Sequence, residues 1–434
     1  MKCLIVGSGG REHAIAWKLS KSKSIRQVFA WPGSPSLDLV SEKLPVAKDA
    51  SYEEVLSQVK SQGINCIVVG PEKPLSEGFA DLCSEAGIPV FGPQQKGAQL
   101  EASKSFAKEV MAKADIPTAA YHVASSRDEC QKLAHDMLSQ KGGTVIKASG
   151  LAGGKGVFVC VTATQIDDAI ARLYSTMQEA AEEVVVEEVL VGRECSFFAF
   201  IGKDGATPLG FAVDFKRLKP HDEGPNTGGM GCYTPVNWLP EDAEQDVMNR
   251  VVNPLLKTLA ADDISYTGCL YVGLMWGDQG PSVVEFNVRL GDPEAQVLAV
   301  QDQRDWGSMI LQKIGLKDPE EMAPLSRDGR SVCVVLASAG YPYGDKPETP
   351  APLERELFLN SQADLCAFGA SVQADAQGNL QSGSGRVMTV VARQDSFRQA
   401  REAAFKQVDR ITSSWGDVQF RSDIGQRAMK EEEQ

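Results

Sequence analysis

The first 92 residues alternate short apolar segments with segments of helical pattern, and this alternation limits the fold more than any other feature. The apolar segments are residues 3–6, 28–31, 66–69 and 89–91, and the helical patterns include residues 12–19 and 52–61. Strands that alternate with helices form a parallel, doubly wound sheet. Such sheets bind ligands beyond the carboxyl ends of their strands. Residues 7–12 and 70–72 fall there, so we expect them near a ligand.

The rest of the chain does not show this regular alternation of strands and helices. A chain of 434 residues exceeds what one hydrophobic core usually holds, so we expect two to four packed units. The predicted strands are residues 144–147, 157–161, 184–188, 195–201, 270–276, 282–288, 331–337 and 387–392, and the predicted helices are 103–114, 165–179 and 241–260. Residues 430–434 are mostly charged, and we expect them to form a solvated, frayed end.

Charge and composition exclude several classes of function. The formal net charge of −14 disfavours nucleic acid as a partner, because phosphates would repel the chain. No apolar run approaches the ~20 residues needed to span a bilayer, and the N-terminus is typical of a core strand, not of a signal peptide. The ten cysteines show no disulfide framework, and the four histidines have no zinc-site spacing. We therefore expect a cytoplasmic protein.

The turn at residues 7–12 follows a predicted strand and opens a helix. Its glycines allow close approach of a ligand, and the free amides of a helix N-terminus attract anions. A dinucleotide-binding fingerprint is disfavoured, because Glu12 replaces the third glycine and no acid follows the second strand. A tight turn without a ligand remains possible, but we favour a phosphate site formed by Gly9, Gly10 and Arg11.

A glycine-rich loop between two predicted strands is the most informative segment. Lys147 ends the first strand and Lys155 lies in the loop, together with Gly150, Gly153, Gly154 and Gly156. It is not a Walker A loop, because a strand follows instead of Ser/Thr and a helix. Backbone amides and lysines in such a loop can cover a polyphosphate. The alternative is a plain hairpin with a long loop.

An acidic segment follows this loop about thirty residues later. Glu187 lies at the end of an apolar strand, followed by Val189 and Leu190, and Glu194 comes seven residues after Glu187. Such a strand end can present a carboxylate and backbone groups to an adenine edge, and Glu194 can accept ribose hydroxyls. The alternative is that the acids are simply solvated.

The strand at residues 282–288 carries a pattern typical of a metal site. Alternation along a strand places Glu285, Asn287 and Arg289 on one face. Carboxylate and amide oxygens suit Mg²⁺, which binds proteins through few side chains plus substrate phosphates. Arg289 could then stabilise charge on a transferred phosphoryl group. A charged face on an exposed strand is the alternative.

These segments, in this order, resemble the ATP-grasp ligases and, among them, the glycinamide ribonucleotide synthetase family. The signatures that narrow the resemblance are Gly9-Gly10-Arg11-Glu12-His13, Val69-Gly70-Pro71-Glu72, Gly224-Pro225-Asn226-Thr227-Gly228-Gly229-Met230-Gly231 and Arg289-Leu290-Gly291-Asp292-Pro293-Glu294. The resemblance extends from residue 1 to about residue 428. It implies an α/β and α+β multidomain protein. Its expected parts are an N-terminal doubly wound domain (1–102), an ATP-grasp core (103–123 and 194–326), a lid (124–193) and a C-terminal α+β domain (327–428).

The resemblance also implies the roles of individual residues. Lys104 and Lys147 would bind the ATP phosphates under the loop of residues 150–156. Glu187, Val189 and Leu190 would hold adenine, Glu194 the ribose, and Glu285 and Asn287 would ligate Mg²⁺ or Mn²⁺. The phosphoribosylamine phosphate would bind Gly9, Gly10 and Arg11, and its ribose Glu72. The glycine and acyl-phosphate region, which includes the implied catalytic residues, would be formed by Asp214, Lys216, Arg289 and Asp292, together with Lys147.

The implied reaction joins glycine to 5-phosphoribosylamine through glycyl phosphate, with ATP as co-substrate, by a monomeric enzyme that binds only small molecules. Three positions depart from the usual family pattern: the loop at residues 31–36, Phe215 in place of a histidine, and Ser149 in place of an aspartate. The alternatives are another ATP-grasp ligase, a nicotinamide-dependent oxidoreductase, and a nucleotide-binding regulator without turnover. Glu12 disfavours the second alternative, and the presence of both Lys147 and Glu285 disfavours the third.

Overall fold

The computed structural model describes residues 1–151, 156–177, 179–320, 323–326, 328–344, 350–359 and 362–433. The predicted residues Gly153, Gly154 and Lys155 lie outside these ranges. Within them, no helix is both long enough and apolar enough to cross a membrane. Short 3₁₀ helices are Leu37–Leu39, Glu179–Ala181, Pro220–Asp222 and Arg355–Leu359.

The N-terminal domain is a five-stranded parallel sheet in the order β3-β2-β1-β4-β5. Its strands are β1 (Lys2–Gly7), β2 (Gln27–Pro32), β3 (Glu42–Lys43), β4 (Cys66–Val69) and β5 (Val90–Phe91). Its helices are α1 (Gly10–Ser20), α2 (Tyr52–Ser61), α3 (Glu72–Ser76) and α4 (Phe79–Glu85). The predicted doubly wound domain is confirmed. Among the elements not predicted from the sequence are helices α3 and α4 and strand β3, whose two residues are exposed and carry no apolar pattern.

Two helices, α5 (Gln95–Ala102) and α6 (Lys104–Lys113), lead into a small antiparallel unit. This unit, the lid, consists of β6 (Tyr121–Ala124), α7 (Arg127–Lys141), β7 (Thr144–Ala148), β8 (Val157–Cys160), α8 (Ala163–Thr176) and β9 (Val184–Glu187). Its strands have the order β6-β9-β7-β8. The lid buries its own apolar cluster, which includes Ile146, Ile170 and Val186. It therefore packs as a unit around its own core.

The core and the C-terminal region share one nine-stranded sheet in the order β16-β15-β10-β11-β14-β17-β22-β19, with β23 paired to β17. The core elements are β10 (Arg193–Gly202), β11 (Gly205–Asp214), β12 (Arg217–Lys219), β13 (Glu223–Asn226), β14 (Gly231–Thr234), α9 (Ala243–Val247), α10 (Asn253–Ala261), β15 (Gly268–Gly277), β16 (Gly280–Asn287), α11 (Glu294–Gln301) and α12 (Trp306–Lys313). A π-helical turn, Met248–Val252, joins α9 to α10. β12 and β13 form a separate hairpin.

The C-terminal region adds further strands and two helices. They are β17 (Arg330–Ser338), β18 (Pro352–Leu353), β19 (Leu365–Gly369), β20 (Val372–Ala374), β21 (Leu380–Ser382), β22 (Arg386–Gln394), α13 (Phe397–Thr412), β23 (Val418–Gln419) and α14 (Gln426–Glu432). A buried apolar cluster lies between β17, β22 and α13 and includes Val334, Val390 and Phe397.

The expectation of a frayed C-terminal end is wrong for the described residues up to 433. Helix α14 packs Ala428 into the core, and its acids form ion pairs with other elements. Glu431 pairs with Arg193 at 2.8 Å, and Glu432 pairs with Arg330 at 2.7 Å. The acidic run was misleading because its basic partners lie about 240 and 100 residues earlier in the chain.

Candidate active site

A cavity of about 360 Å³ lies where the N-terminal domain, the lid, the core and the C-terminal region meet. Eleven of the side chains and backbone positions predicted from the sequence line it: Arg11, Glu72, Lys104, Lys147, Gly156, Asp214, Lys216, Glu285, Asn287, Arg289 and Asp292. Apolar groups from α6, the lid and β16 also line it: Ala107, Met111, Val157, Val185 and Phe286. The cavity thus combines an apolar surface with a dense set of charges, as a nucleotide requires.

The other described residues of the predicted site are not among those that line this cavity. They are Gly9, Gly10, Gly150, Glu187, Val189, Leu190 and Glu194. Three of them touch lining residues: Gly150 O accepts from Lys104 Nζ at 3.5 Å, Glu187 pairs with Lys147, and Glu194 pairs with Lys216. Val189 and Leu190 are half-buried in the connection between the lid and β10.

The Glu12 side chain fills the space between the glycine turn that follows β1 and the turn at Gly70 that follows β4. One carboxylate oxygen accepts from Gly9 N at 2.7 Å and the other from Arg11 Nε at 2.6 Å. A Cβ atom on Gly70 would lie 2.2 Å from Glu12 Oε1, so a side chain there would collide with the carboxylate. Glu12 therefore acts as a local cap. The Gly9 amide and two nitrogens of Arg11 are already bonded within the protein, but Arg11 lines the cavity and Gly9 does not.

Arg289 joins the N-terminal domain to the core. It donates to Glu101 Oε1 at 2.6 Å through Nη2 and to Glu72 Oε2 at 3.2 Å through Nε. Burial alone would lower the pKa of Arg289, but Glu101 and Glu72 outweigh it and raise that pKa. Burial raises the pKa of Glu101 despite the nearby guanidinium group. Arg289 is thus held, fully charged, at the edge of the cavity.

Glu285 and Asn287 have the chemistry of a magnesium site. Asn287 Nδ2 lies 3.4 Å from Glu285 Oε1, so the two groups share one face of β16. Burial would raise the pKa of Glu285, but Lys216, Lys147 and Lys104 outweigh it and lower that pKa. The carboxylate is therefore ionised, and an ionised carboxylate beside an amide oxygen suits a hard cation.

Three lysines converge on the same region. Lys147 Nζ donates to Val284 O at 3.0 Å and pairs with Glu187 Oε1. Lys108 Nζ lies 2.5 Å from Glu187 Oε2. Burial lowers the pKa of Lys104 and of Lys108, although nearby glutamates oppose this effect. These side chains supply the positive charge that a polyphosphate needs.

Asp214 and Lys216 flank Phe215 at the end of β11 and both line the cavity. Burial raises the pKa of Asp214 to about 7, although Lys216 opposes this shift. Lys216 pairs with Glu194, and the acids around it raise its pKa above the usual range against the effect of burial. The two residues form a mixed-charge wall that could contact a zwitterion.

The C-terminal region contributes Arg386 to the cavity. Its Nη1 atom donates to Gly228 O and to Asp292 O, both at 2.6 Å. Burial would raise the pKa of Asp292, but Arg386 and Arg11 outweigh it and lower that pKa. Arg386 therefore joins two of the signature segments, residues 224–231 and 289–294, at one wall of the cavity.

Phe215 points away from the cavity. Its ring centroid lies 6.2 Å from that of Tyr233 and 4.8 Å from Arg421 Cζ, so it packs on the C-terminal cluster. No residue of the loop at residues 31–36 lines the cavity, and Ser36 packs against Gly369 of β19. Neither departure from the family pattern therefore alters a side chain that lines the cavity.

We predict that Phe215→His leaves turnover within about twofold of the wild type, because position 215 does not line the cavity. Loss of the ring under Arg421 should lower the free energy of unfolding by about 1–2 kcal/mol. Urea denaturation and steady-state kinetics test the two parts separately. A large rise in a substrate KM at unchanged stability would show that position 215 contacts substrate.

Sequence analysis missed several lining residues, among them Glu101, Lys108, Tyr271, Glu294 and Arg386. Lys108 had a local signal, because it lies four residues after Lys104 and helical spacing places both on one face. Glu101 and Arg386 had no local signal. Glu101 contacts Arg289, about 190 residues away in the chain, and Arg386 contacts Asp292, about 95 residues away.

Comparison with known families agrees with this arrangement. Models of phosphoribosylglycinamide synthetase match the chain as its N domain over residues 1–101, its ATP-grasp (A) domain over 102–295 and its C domain over 331–427. Together, the fold, the charged cavity and these matches define the class of protein. It is an ATP-grasp ligase that forms carbon–nitrogen bonds.

The chain belongs to the phosphoribosylglycinamide synthetase family. It is 38% identical over 435 residues to the phosphoribosylamine–glycine ligase of Phenylobacterium zucineum, covering 99% of this chain and 100% of the relative. The crystal structure of the Thermotoga maritima phosphoribosylamine–glycine ligase superposes with a TM-score of 0.81 at 31% identity, covering 98% of this chain and 100% of the other. The family resemblance and the predicted fold class are confirmed.

A more distant structure shares the fold alone. The biotin carboxylase domain of 2-oxoglutarate carboxylase from Hydrogenobacter thermophilus, solved with MgADP and bicarbonate, has a TM-score of 0.69 at 16% identity. It covers 96% of this chain and 91% of the other.

Proposed function

We propose that this chain catalyses the second step of de novo purine synthesis. It joins glycine to 5-phosphoribosylamine with ATP, giving glycinamide ribonucleotide, ADP and phosphate. One observation carries the proposal: a single cavity gathers phosphate-binding cations, an ionised metal-binding carboxylate and a mixed-charge wall from all parts of the fold. Family membership supports the choice of substrates.

ATP would lie between the lid and the core. Lys104 and Lys147 would bind its phosphates, with Gly150 and Gly156 close to these lysines. Val189 and Leu190 would offer backbone groups to adenine, and Glu194 would accept the ribose hydroxyls once Lys216 releases it. The apolar side chains of Met111, Val185 and Phe286 would pack on the adenine ring.

Mg²⁺ would be held by Glu285 and Asn287, and Mn²⁺ could replace it. When bound, the metal would neutralise charge on the phosphates. The ionised state of Glu285 and its position beside Asn287 support this assignment. The distant biotin carboxylase structure, which holds MgADP, is consistent with a metal–nucleotide site in this fold.

The chain's own residues would mainly position groups and balance charge. A carboxylate oxygen of glycine attacks the γ-phosphorus, ADP leaves with the electron pair of the broken P–O bond, and glycyl phosphate forms. The amine of phosphoribosylamine then attacks the acyl carbon, phosphate leaves, and the amide forms with loss of a proton. Arg289, held by Glu101 and Glu72, would stabilise the transferring phosphoryl group.

The second substrate would bind at the carboxyl ends of the N-terminal strands. Arg11 would contact its phosphate beside the Gly9–Gly10 turn, and Glu72 would accept its ribose hydroxyls. Asp214 and Lys216 would contact glycine, with Asp292 nearby. Because acyl phosphates hydrolyse readily, a lid that excludes water would protect the intermediate.

We retain three further assignments as proposals. The domain limits are those expected from the sequence: 1–102, 103–123 with 194–326, 124–193, and 327–428. The enzyme would act as a monomer on small molecules. A cytoplasmic location is supported by the ten cysteines, which are all buried and unpaired in disulfides.

A component-omission assay tests the proposal. We predict that phosphate release from ATP and Mg²⁺ requires both glycine and freshly generated phosphoribosylamine, and that leaving out either substrate reduces it to background. Release with another acid or amine, but not with this pair, would contradict the substrate assignment while retaining the ligase. Nucleotide binding without release under any combination would favour a regulator.

A further inference from the structure

We infer that Lys108 is a positioning residue: it binds one oxygen of Glu187 and thereby leaves Lys147 with net charge to offer the nucleotide phosphates. This inference rests on the proposed function, because it concerns how the same nucleotide site is tuned. The proposed function assigns the nucleotide phosphates to Lys104 and Lys147 and gives Lys108 no role.

Glu187 is shared between two lysines. Its Oε2 atom lies 2.5 Å from Lys108 Nζ, and its Oε1 atom pairs with Lys147 Nζ. All three side chains are 4–5% exposed. Each lysine also donates to an oxygen of the core: Lys108 to Thr118 Oγ1 at 2.7 Å and Lys147 to Val284 O at 3.0 Å. Both carboxylate oxygens of Glu187 thus take part in ion pairs, one with each lysine.

The charge of the cluster depends on Lys108. Two lysines and one carboxylate carry a net charge of +1 in a buried site, where electrostatic interactions are stronger than in water. Without Lys108, Glu187 and Lys147 would form a neutral pair. This neutral pair would attract a phosphate much less than the three-residue cluster with its net charge of +1. Both lysines line the cavity, Lys147 from the lid and Lys108 from α6, so the surplus charge of the cluster faces the cavity.

The cluster also crosses the boundary between lid and core. Lys108 is on α6 and Val284 on β16, whereas Lys147 and Glu187 end the lid strands β7 and β9. Lys108 thus fixes Glu187 from the core side, and Glu187 in turn fixes the direction of Lys147. A purely structural role would require only that the buried charges be paired.

Calorimetric titration of the full-length protein with MgADP distinguishes these roles. Lys108→Met should weaken MgADP binding by about tenfold or more, because Glu187 and Lys147 would then form a neutral pair. The double variant Lys108→Met/Glu187→Gln should bind MgADP within about threefold of Glu187→Gln alone, because Lys108 acts only through the charge of Glu187. Lys113→Met, exposed on the same helix, is the matched control and should bind like the wild type.

Two results would overturn the inference: unchanged affinity in Lys108→Met, or an equally large loss when Lys108→Met is added to Glu187→Gln. If Lys108→Met does not fold, Lys108→Gln replaces it, with the same expected loss and the same condition for rejection. Failure of the wild-type protein itself to bind MgADP would instead contradict the proposed function.

Discussion

Glu285→Ala should abolish turnover while leaving the protein folded. The side chain faces the cavity, and among the described residues its one side-chain hydrogen bond is the 3.4 Å contact with Asn287. Its removal therefore breaks no strong hydrogen bond or ion pair. It does remove the ionised oxygen ligand on which we place the metal, and a loss of about 4 kcal/mol in transition-state stabilisation corresponds to roughly a 10³-fold fall in kcat.

Two measurements separate this explanation from a general loss of structure. Mg²⁺ should strengthen ADP binding by the wild type but have little effect on the variant, whereas circular dichroism and the urea midpoint should be nearly unchanged. Asp278→Ala, an exposed acid at the turn of the same β15–β16 hairpin, is the matched control and should retain full activity. Wild-type turnover by Glu285→Ala would remove the metal assignment.

Local sequence patterns predicted many of the strands and several of the cavity-lining residues, whereas Lys104, Asp214 and Lys216 were implied only by the family resemblance. Period-two alternation along β16 placed Glu285 and Asn287 on one face, and the structure has them in contact. The apolar runs at residues 3–6 and 66–69 predicted β1 and β4 because a fully buried parallel strand needs little polar patterning. These inferences needed only neighbours within one element.

Contacts between distant segments could not be read from the sequence. Glu101 is bound to Arg289 across 188 residues, and Arg386 reaches Asp292 from another part of the fold. The direction of the Phe215 side chain was also not predictable. Alternation along a strand would place it opposite Asp214 and Lys216, which line the cavity, but residue 215 lies just beyond the end of β11. The same limit explains the error at the acidic C-terminal end, whose basic partners are remote.

Arg289→Met should lower both stability and turnover, and the two losses should have separable causes. The substitution leaves Glu101, whose side chain is 8% exposed, without its cationic partner. Breaking a buried ion pair from one side typically costs about 3–5 kcal/mol, although protonation of Glu101 would reduce this cost. Turnover should fall at least about 10²-fold, since a positive group aimed at the transferring phosphoryl oxygens is lost.

The double variant Arg289→Met/Glu101→Gln separates these causes. Removing the carboxylate charge together with its partner should recover most of the free energy of unfolding, because no unpaired buried charge remains from this pair. It should not recover turnover, because the guanidinium group is still absent. Urea denaturation and phosphate release measure the two quantities on the same preparations. If the double variant regained wild-type turnover, Arg289 would act only by neutralising Glu101, and its placement at the reacting phosphoryl group would have to be abandoned.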